Sequence, residues 1–190
     1  VREFFVSKMY DICYHPAAMT QFPVSIPDQI TSSGNAEVKS LRALHERKYR
    51  KQSGWFIAEG ARICREAVAL GWCMHRLAFL AGRETDAVMR PLLDGLAASG
   101  GRALPMTEHL LQRISRKDNT QILIGAFSQC WHDLQAVADT FDRIWVALDR
   151  VRDPGNLGTV MRTADAVGAA GIILVGDCTD PYSVEAVRAS

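Results

Sequence analysis

The residues best suited to chemistry lie in one polar segment, residues 149–168, which reads DRVRDPGNLGTVMRTADAVG. It follows a continuous apolar run, residues 144–148, of the kind found in a strand buried on both faces. Open α/β sheets bind their ligands in the loops that follow such strands. Pro154 and Gly155 are typical of a tight turn, and Asn156 can cap a helix that follows. The segment is therefore the predicted functional loop.

Within this segment, Arg162 and Asn156 carry polar side chains. Arg162 lies opposite the apolar stripe of the predicted helix. Taken singly, Arg162 reads as a solvated surface arginine and Asn156 as a helix cap. The apolar stripe consists of Leu157, Val160, Met161, Ala164 and Val167.

The elements that position the loop form a strand–helix–strand unit, with strands at residues 144–148 and 172–175 and a helix at 157–167 closed by Gly168. Asp180 and Pro181 are predicted to open a further helix. Earlier in the chain, helices are predicted at residues 37–50, 61–70, 86–98 and 107–114, and strands at 55–57, 77–80 and 121–127. Strands that alternate with helices indicate the α/β class.

Composition and periodicity divide the chain into four parts. Residues 1–33 show no sustained period and are predicted to be an irregular extension. Residues 34–130 form a first α/β domain, 131–142 a more polar linker, and 143–190 the start of a second domain. The chain is 48% hydrophobic and 23% charged, as in a globular protein.

A second functional candidate is a basic segment, residues 39–51, which carries six basic residues against one acid. The chain as a whole has a net charge of only +1, so nucleic-acid binding would depend on such a local patch. This density suits phosphate contacts, and Tyr49 offers a ring on which a base can stack. A solvated helix face is the plain alternative. The predicted RNA-binding residues are Lys39, Arg42, Arg47, Lys48 and Arg50, with a weaker patch at Arg116 and Lys117.

Residues 149–168 resemble the first signature of the SpoU/TrmH family of RNA ribose 2′-O-methyltransferases, in the SPOUT class. Residues 183–190 resemble the start of the second signature of the family. Residues 38–60 are similar to its substrate-binding domain. The residues that carry the first match are Asp149, Asp153, Pro154, Asn156, Gly158, Arg162, Thr163, Ala164 and Gly168.

The resemblance implies a fold and an activity. The fold is an N-terminal α/β/α substrate-binding domain of ribosomal-protein-like type, followed by the first part of a SPOUT α/β-knot domain. The activity is methyl transfer from S-adenosylmethionine to a ribose 2′-hydroxyl of structured rRNA or tRNA, by a homodimer. Asn156 and Arg162 match the Asn and Arg of the family's first signature, so the resemblance implies that they are the catalytic residues. A guanidinium keeps its proton in proteins, so Arg162 would stabilise a developing oxyanion rather than accept a proton. The third signature does not occur before Ser190. The cofactor-binding residues are therefore expected beyond Ser190, and this chain alone is expected to be inactive.

Two other functions remain open from the sequence. A non-catalytic RNA-binding module fits the basic segment equally well. A Rossmann-type nucleotide-binding enzyme would explain a glycine-bearing loop after a buried strand, with Asp177 after the second strand. However, the loop has Gly155 and Gly158 rather than the G-x-G-x-x-G pattern.

Cysteine and histidine usage argues against disulfides and metals. The five cysteines are spread out and include no Cys-x-x-Cys pair, which favours a reducing cytosol and a cytoplasmic protein. The histidines are equally scattered, so no metal site is expected. No apolar run approaches the roughly 20 residues that span a bilayer, so no membrane association is expected.

Overall fold

The computed structural model describes residues 3–5, 25–115, 123–132 and 143–190. The chain divides into two compact units, one of residues 13–128 and one that joins residues 1–12 to 129–190. The predicted linker falls mostly outside the described residues. The extension predicted to be irregular contains one short strand, β1 (Glu3–Phe5).

The unit of residues 13–128 is built on a four-stranded mixed sheet in the order β2-β5-β3-β4. Strand β5 is antiparallel to both of its neighbours, whereas β3 and β4 are parallel. The strands are β2 (Trp55–Glu59), β3 (Met74–Leu80), β4 (Arg102–Met106) and β5 (Leu123–Ser128). The helices are α1 (Ala36–Ala43), α2 (Arg47–Ser53), α3 (Ala61–Ala69), α4 (Arg90–Ala98) and α5 (Glu108–Ser115).

Within this unit, strand β4 was not predicted by the sequence analysis. Its sequence contains Pro105, which argues against a central strand because proline cannot donate to the ladder. The structure places β4 at the end of the sheet order, where a proline is tolerated. Ile30 lies along β4, and its N–H donates to the Pro105 carbonyl at 2.8 Å.

The helix predicted over residues 37–50 is broken in two, because residues 44–46 form a turn between α1 and α2. The predicted apolar stripe is nonetheless correct, since Val38, Leu41 and Leu44 are all buried. Arg50 stabilises the break: its guanidinium Nη1 donates to the carbonyls of Leu44 and His45, each at 2.8 Å. These two bonds satisfy acceptors that lie at the break in the helix.

The second unit contains the predicted strand–helix–strand arrangement. Strands β6 (Trp145–Asp149) and β7 (Gly171–Val175) are parallel, and α6 (Pro154–Ala166) connects them. Strand β1 pairs antiparallel with the other edge of β7, which gives the order β1-β7-β6. Gly168, with φ of 73°, follows the end of α6 as expected.

The last helix, α7 (Val184–Ala189), begins later than predicted. Asp180 and Pro181 do not open it. Instead, the Asp180 carboxylate accepts a bond from the Tyr182 N–H at 2.8 Å and so forms a turn. The helix then starts after Ser183, whose hydroxyl accepts from the N–H of Ala186.

Two expectations about burial in this unit were wrong. Strand β6 is not buried on both faces: Ala147 is exposed, and Ile144, just before the strand, is 68% exposed. The reason is that β6 is the edge strand of the described sheet, whereas β7 is central and buries Ile172 completely. Val167, expected on the buried stripe of α6, is 67% exposed because the helix ends before it.

Candidate functional site

The loop after β6 has an unusual backbone at Arg150. Its φ of 53° makes Arg150 the single non-glycine residue with positive φ in the described part of the chain. Its N–H donates to the Val175 carbonyl at 3.0 Å, and its guanidinium Nη2 donates to the Asp149 carboxylate at 2.6 Å. The hydrogen bond and charge of Asp149 raise the pKa of Arg150. A conformation of this kind in a non-glycine residue persists only where its surroundings hold it, and such residues cluster at functional sites.

The loop after β7 lies against the loop after β6. Gly176 has φ of 71°, and a Cβ built on it would lie 3.0 Å from the Arg150 side chain and 3.2 Å from the Asp149 carboxylate. Arg152 pairs with Asp177 at 3.3 Å. The two loops are therefore joined at the carboxyl ends of two parallel strands, where the sequence predicted the functional site.

Asp153, and not Asn156, caps helix α6. The Asp153 carboxylate accepts from the Asn156 N–H at 2.6 Å, and Pro154 occupies the first turn. The suggestion that Asn156 is the cap is therefore wrong. The Asn156 side chain is exposed at the start of the helix, next to the joined loops.

Arg162 is also exposed, and the buried face of α6 consists of other residues. Arg162 and Asn156 are six residues apart, so they point about 120° away from each other around the helix axis. The structure therefore places both candidate catalytic residues at the surface of one helix but not on one stripe. Gly158 packs against the second helix, since a Cβ there would overlap the Ala186 carbonyl of α7.

The structure separates the predicted RNA-binding residues into two groups. Lys39, Arg47 and Lys48 are exposed, and Arg42 is half-buried. Arg50 is only 4% exposed and bonds to backbone carbonyls, so its assignment to the RNA surface is corrected to a structural role. Arg116 and Lys117 lie outside the described residues.

An aromatic cluster was not predicted from the sequence. Trp55 stacks on His75 with ring centroids 4.2 Å apart, and the Arg76 guanidinium lies 5.2 Å from the Trp55 ring. Burial, and then the charge of Arg76, lower the pKa of His75. Its Nε2 lies 2.7 Å from the Ser128 hydroxyl. Trp55, His75 and Ser128 are far apart in sequence, and no local motif signals their contact.

The described side chains offer no metal site, and one thiol is made unreactive by burial. Within these ranges no group of three or more His, Cys, Asp or Glu could hold a metal ion. Burial raises the pKa of the Cys64 thiol to about 12. A thiol with such a pKa stays protonated and unreactive near neutral pH.

Two family models match the chain. Residues 35–125 match the MRM3-like substrate binding domain, and residues 143–190 match the SpoU rRNA Methylase family. The second match contains both joined loops and helix α6. The chain belongs to the SpoU rRNA methylase family.

Named relatives of this SpoU family chain are methyltransferases. An uncharacterized tRNA/rRNA methyltransferase of Synechocystis is 35% identical over 85% of this chain and 57% of its own length. The 23S rRNA (uridine(2479)-2′-O)-methyltransferase of Streptomyces viridochromogenes is 30% identical over 84% of this chain and 55% of its own length. The chain thus spans a little over half the length of these relatives.

The SpoU fold is also shown by solved structures. The AdoMet-bound rRNA methyltransferase from Sinorhizobium meliloti is 42% identical to this chain, with a TM-score of 0.74. The match covers 85% of this chain and 59% of that protein. The predicted architecture, a substrate-binding domain followed by part of a SPOUT methyltransferase domain, is therefore confirmed.

Proposed function

We propose that this protein transfers a methyl group from S-adenosylmethionine to a ribose 2′-hydroxyl of ribosomal RNA, with transfer RNA as the other candidate substrate. The observation that carries the proposal is the order of the two matches: a substrate-binding domain at residues 35–125 precedes a SpoU methylase match at residues 143–190. The 2′-O-methylating relative from Streptomyces supports the same chemistry.

In this proposal Arg162 supplies electrostatic stabilisation at the reacting oxygen. As the ribose oxygen bonds to the methyl carbon, the methyl–sulfur bond would break and S-adenosylhomocysteine would leave, while the hydroxyl proton would pass to solvent. Negative charge would develop on the ribose oxygen as its proton departs. A guanidinium placed there stabilises this charge and cannot itself accept the proton. The exposure of Arg162 supports the role, since its side chain is not used in the core. Asn156 is proposed to be the second catalytic residue, as the match to the family motif implies.

S-adenosylmethionine, the cofactor expected for the family, would supply an electrophilic methyl group. The described residues do not by themselves form its site. The loop residues Arg150, Arg152, Gly176 and Asp177 are all exposed, whereas a ligand of this size is usually mostly enclosed. No cofactor contact is therefore assigned to any residue of the chain.

We further propose that the RNA surface comprises Lys39, Arg42, Arg47 and Lys48, without Arg50. Arg116 and Lys117 stay in the proposal on their sequence alone. The exposure of Lys39, Arg47 and Lys48 supports it, because phosphate contacts need accessible cations.

A homodimer and a cytoplasmic location complete the proposal. The exposed apolar side chains of Ile144 and Val167 support self-association of the second unit, since apolar surface favours burial. The spread of the cysteines along the sequence, with no Cys-x-x-Cys pair, supports a reducing compartment. None of the described helices is long and apolar enough to cross a membrane. Light scattering of the full-length protein tests the dimer, and a monomer at high concentration would contradict it.

The activity is tested by methyl transfer to RNA. Full-length protein is incubated with S-adenosylmethionine and ribosomal RNA from a strain that lacks the enzyme, and the product is mapped for 2′-O-methyl ribose. One new 2′-O-methyl site is expected. Methylation of a base would contradict transfer to the ribose 2′-hydroxyl. RNA binding without any transfer would favour the non-catalytic module over the enzyme.

The RNA surface is tested separately by salt dependence. Replacing Arg47 and Lys48 together with Ala is expected to flatten the slope of log K against log salt by up to about two units, roughly one per phosphate contact. Arg65→Ala is the matched control, because Arg65 is an exposed arginine of α3 outside the basic segment. An equal change in both variants would remove the surface from the proposal.

A further inference from the structure

Tyr49 differs from the other exposed apolar residues of the chain. In the described part of the chain five large apolar side chains are exposed, and Tyr49, at 45%, is the only aromatic one. It lies within the basic segment, residues 39–51, while exposed Leu70 lies at the end of α3. A half-exposed aromatic ring among basic residues is typical of a nucleic-acid-binding surface rather than of a protein core.

The backbone of Tyr49 is held firmly. Its N–H donates to the Glu46 carbonyl at 3.0 Å, and its carbonyl accepts from the Ser53 hydroxyl at 2.8 Å. The next residue, Arg50, is buried and bonds across the break between α1 and α2. The ring is therefore presented from a fixed helix, and a tyrosine has few side-chain torsions to order on binding. Both features lower the entropy that binding would cost.

One cation lies over the Tyr49 ring, at a long distance. The Lys48 ammonium is 6.0 Å from the ring centroid, at the outer limit of cation–π attraction. Lys48, Arg47 and Lys51 are all exposed on α2. A phosphate can therefore bind these cations while a planar group lies on the ring.

Paired and unpaired RNA differ in what they offer to such a surface. A duplex presents phosphates and 2′-hydroxyls, but its base faces are stacked inside the helix. Unpaired nucleotides in loops and bulges can place a base on an aromatic ring. We propose that Tyr49, flanked by Lys48, is a stacking site for an unpaired nucleobase, so that this unit prefers single-stranded or looped RNA. The proposal rests on the proposed function, since it requires RNA as the partner.

The test uses fluorescence anisotropy to measure the affinity of the 190-residue chain for three RNA probes. The first is a labelled oligouridine, and the second is an oligomer of the same length whose central riboses carry no base. The third is a duplex with strands of that length. The variants are Tyr49→Ala, Tyr49→Phe and the control Leu70→Ala, which removes an exposed apolar side chain outside the basic segment.

The native chain is expected to bind oligouridine more tightly than the abasic oligomer or the duplex. Tyr49→Ala should weaken oligouridine binding by roughly five- to a hundredfold, the range that corresponds to about 1–3 kcal/mol per stacked base. It should leave the abasic oligomer and the salt slope unchanged, because no charge is lost. Tyr49→Phe keeps a ring and should bind like the native chain, as should Leu70→Ala.

Two outcomes overturn the stacking site while RNA binding stands. One is Tyr49→Ala binding oligouridine as the native chain does, and the other is an equal loss on all three probes. Failure of the native chain to bind any probe at low salt would overturn the proposed RNA-binding function, and the stacking site with it. Thermal unfolding of each variant shows whether a loss of affinity reflects a loss of fold.

Discussion

Arg50 and Lys48 are two residues apart on α2, yet the structure gives them opposite roles. Arg50 is buried with two carbonyl partners, and Lys48 is exposed. We expect Arg50→Ala to lower the free energy of unfolding by about 2–4 kcal/mol, because two buried acceptors lose a charged donor. Lys48→Ala should stay within about 0.5 kcal/mol, as exposed substitutions usually do. Urea unfolding measures both.

The same pair separates stability from RNA binding. Lys48→Ala should weaken RNA binding at low salt without a change in unfolding. If Arg50→Ala instead weakened RNA binding at native stability, the original assignment of Arg50 to the RNA surface would be restored.

Arg162 is expected to matter for turnover and not for folding. Its side chain is exposed, so Arg162→Ala should leave the melting temperature of the full-length protein nearly unchanged. Loss of one electrostatic stabiliser typically lowers kcat by about 100- to 1,000-fold. The kcat for methyl transfer and the melting temperature are measured together, with Arg65→Ala as the control. A large fall in melting temperature with normal kcat would show that Arg162 is structural.

At the scale of elements, the sequence predicted the strand–helix–strand unit well, because apolar runs and helical periodicity are local properties. It did not predict the break between α1 and α2, since the apolar stripe continues through Leu44. At the break, the Arg50 side chain bonds to carbonyls five and six residues earlier, and periodicity does not encode this contact. Strand β4 was missed because Pro105 is permitted only by its position at the edge of the sheet.

The candidate site was predictable to a similar degree. The loop after β6 was located correctly, because ligand loops follow the carboxyl ends of buried strands. The cap was assigned to Asn156 instead of Asp153, since both residue types cap helices and their spacing does not distinguish them. The contact between the two loops, through Arg150 and Gly176, required the structure because it joins residues more than 20 positions apart.

The packing of α6 against α7 depends on Gly158. A Cβ at this position would overlap the Ala186 carbonyl and approach Ala189, both part of α7. Gly158→Ala should therefore destabilise the unit by about 1–3 kcal/mol, the usual cost of overpacking, despite the higher helix propensity of alanine. Thr159→Ala, one residue further and exposed, is the control and should be neutral or slightly stabilising. Equal unfolding midpoints for the two variants would show that α6 and α7 accommodate the added methyl group at position 158 without a cost in stability.

At the scale of the whole chain, binding and chemistry are assigned to different units. The basic segment and Tyr49 lie in the unit of residues 13–128, and both joined loops lie in the other unit. RNA affinity and methyl transfer should therefore respond to separate sets of substitutions. The free-energy effects of two substitutions are usually additive when the substituted residues share no contacts.

The final prediction concerns the cofactor and the 190-residue chain itself. In the joined loops Arg150, Arg152, Gly176 and Asp177 are all exposed. A cofactor-sized ligand normally buries most of its surface, so these loops offer it only one wall. The chain also spans 59% of the AdoMet-bound rRNA methyltransferase from Sinorhizobium meliloti, which leaves much of that protein without a counterpart. We therefore expect isothermal titration of S-adenosylmethionine into this chain to show no saturable micromolar binding. The Sinorhizobium protein, titrated under the same conditions, is the positive control and should bind. Saturable micromolar binding by the 190-residue chain would show instead that the two loops and α6 suffice for the cofactor.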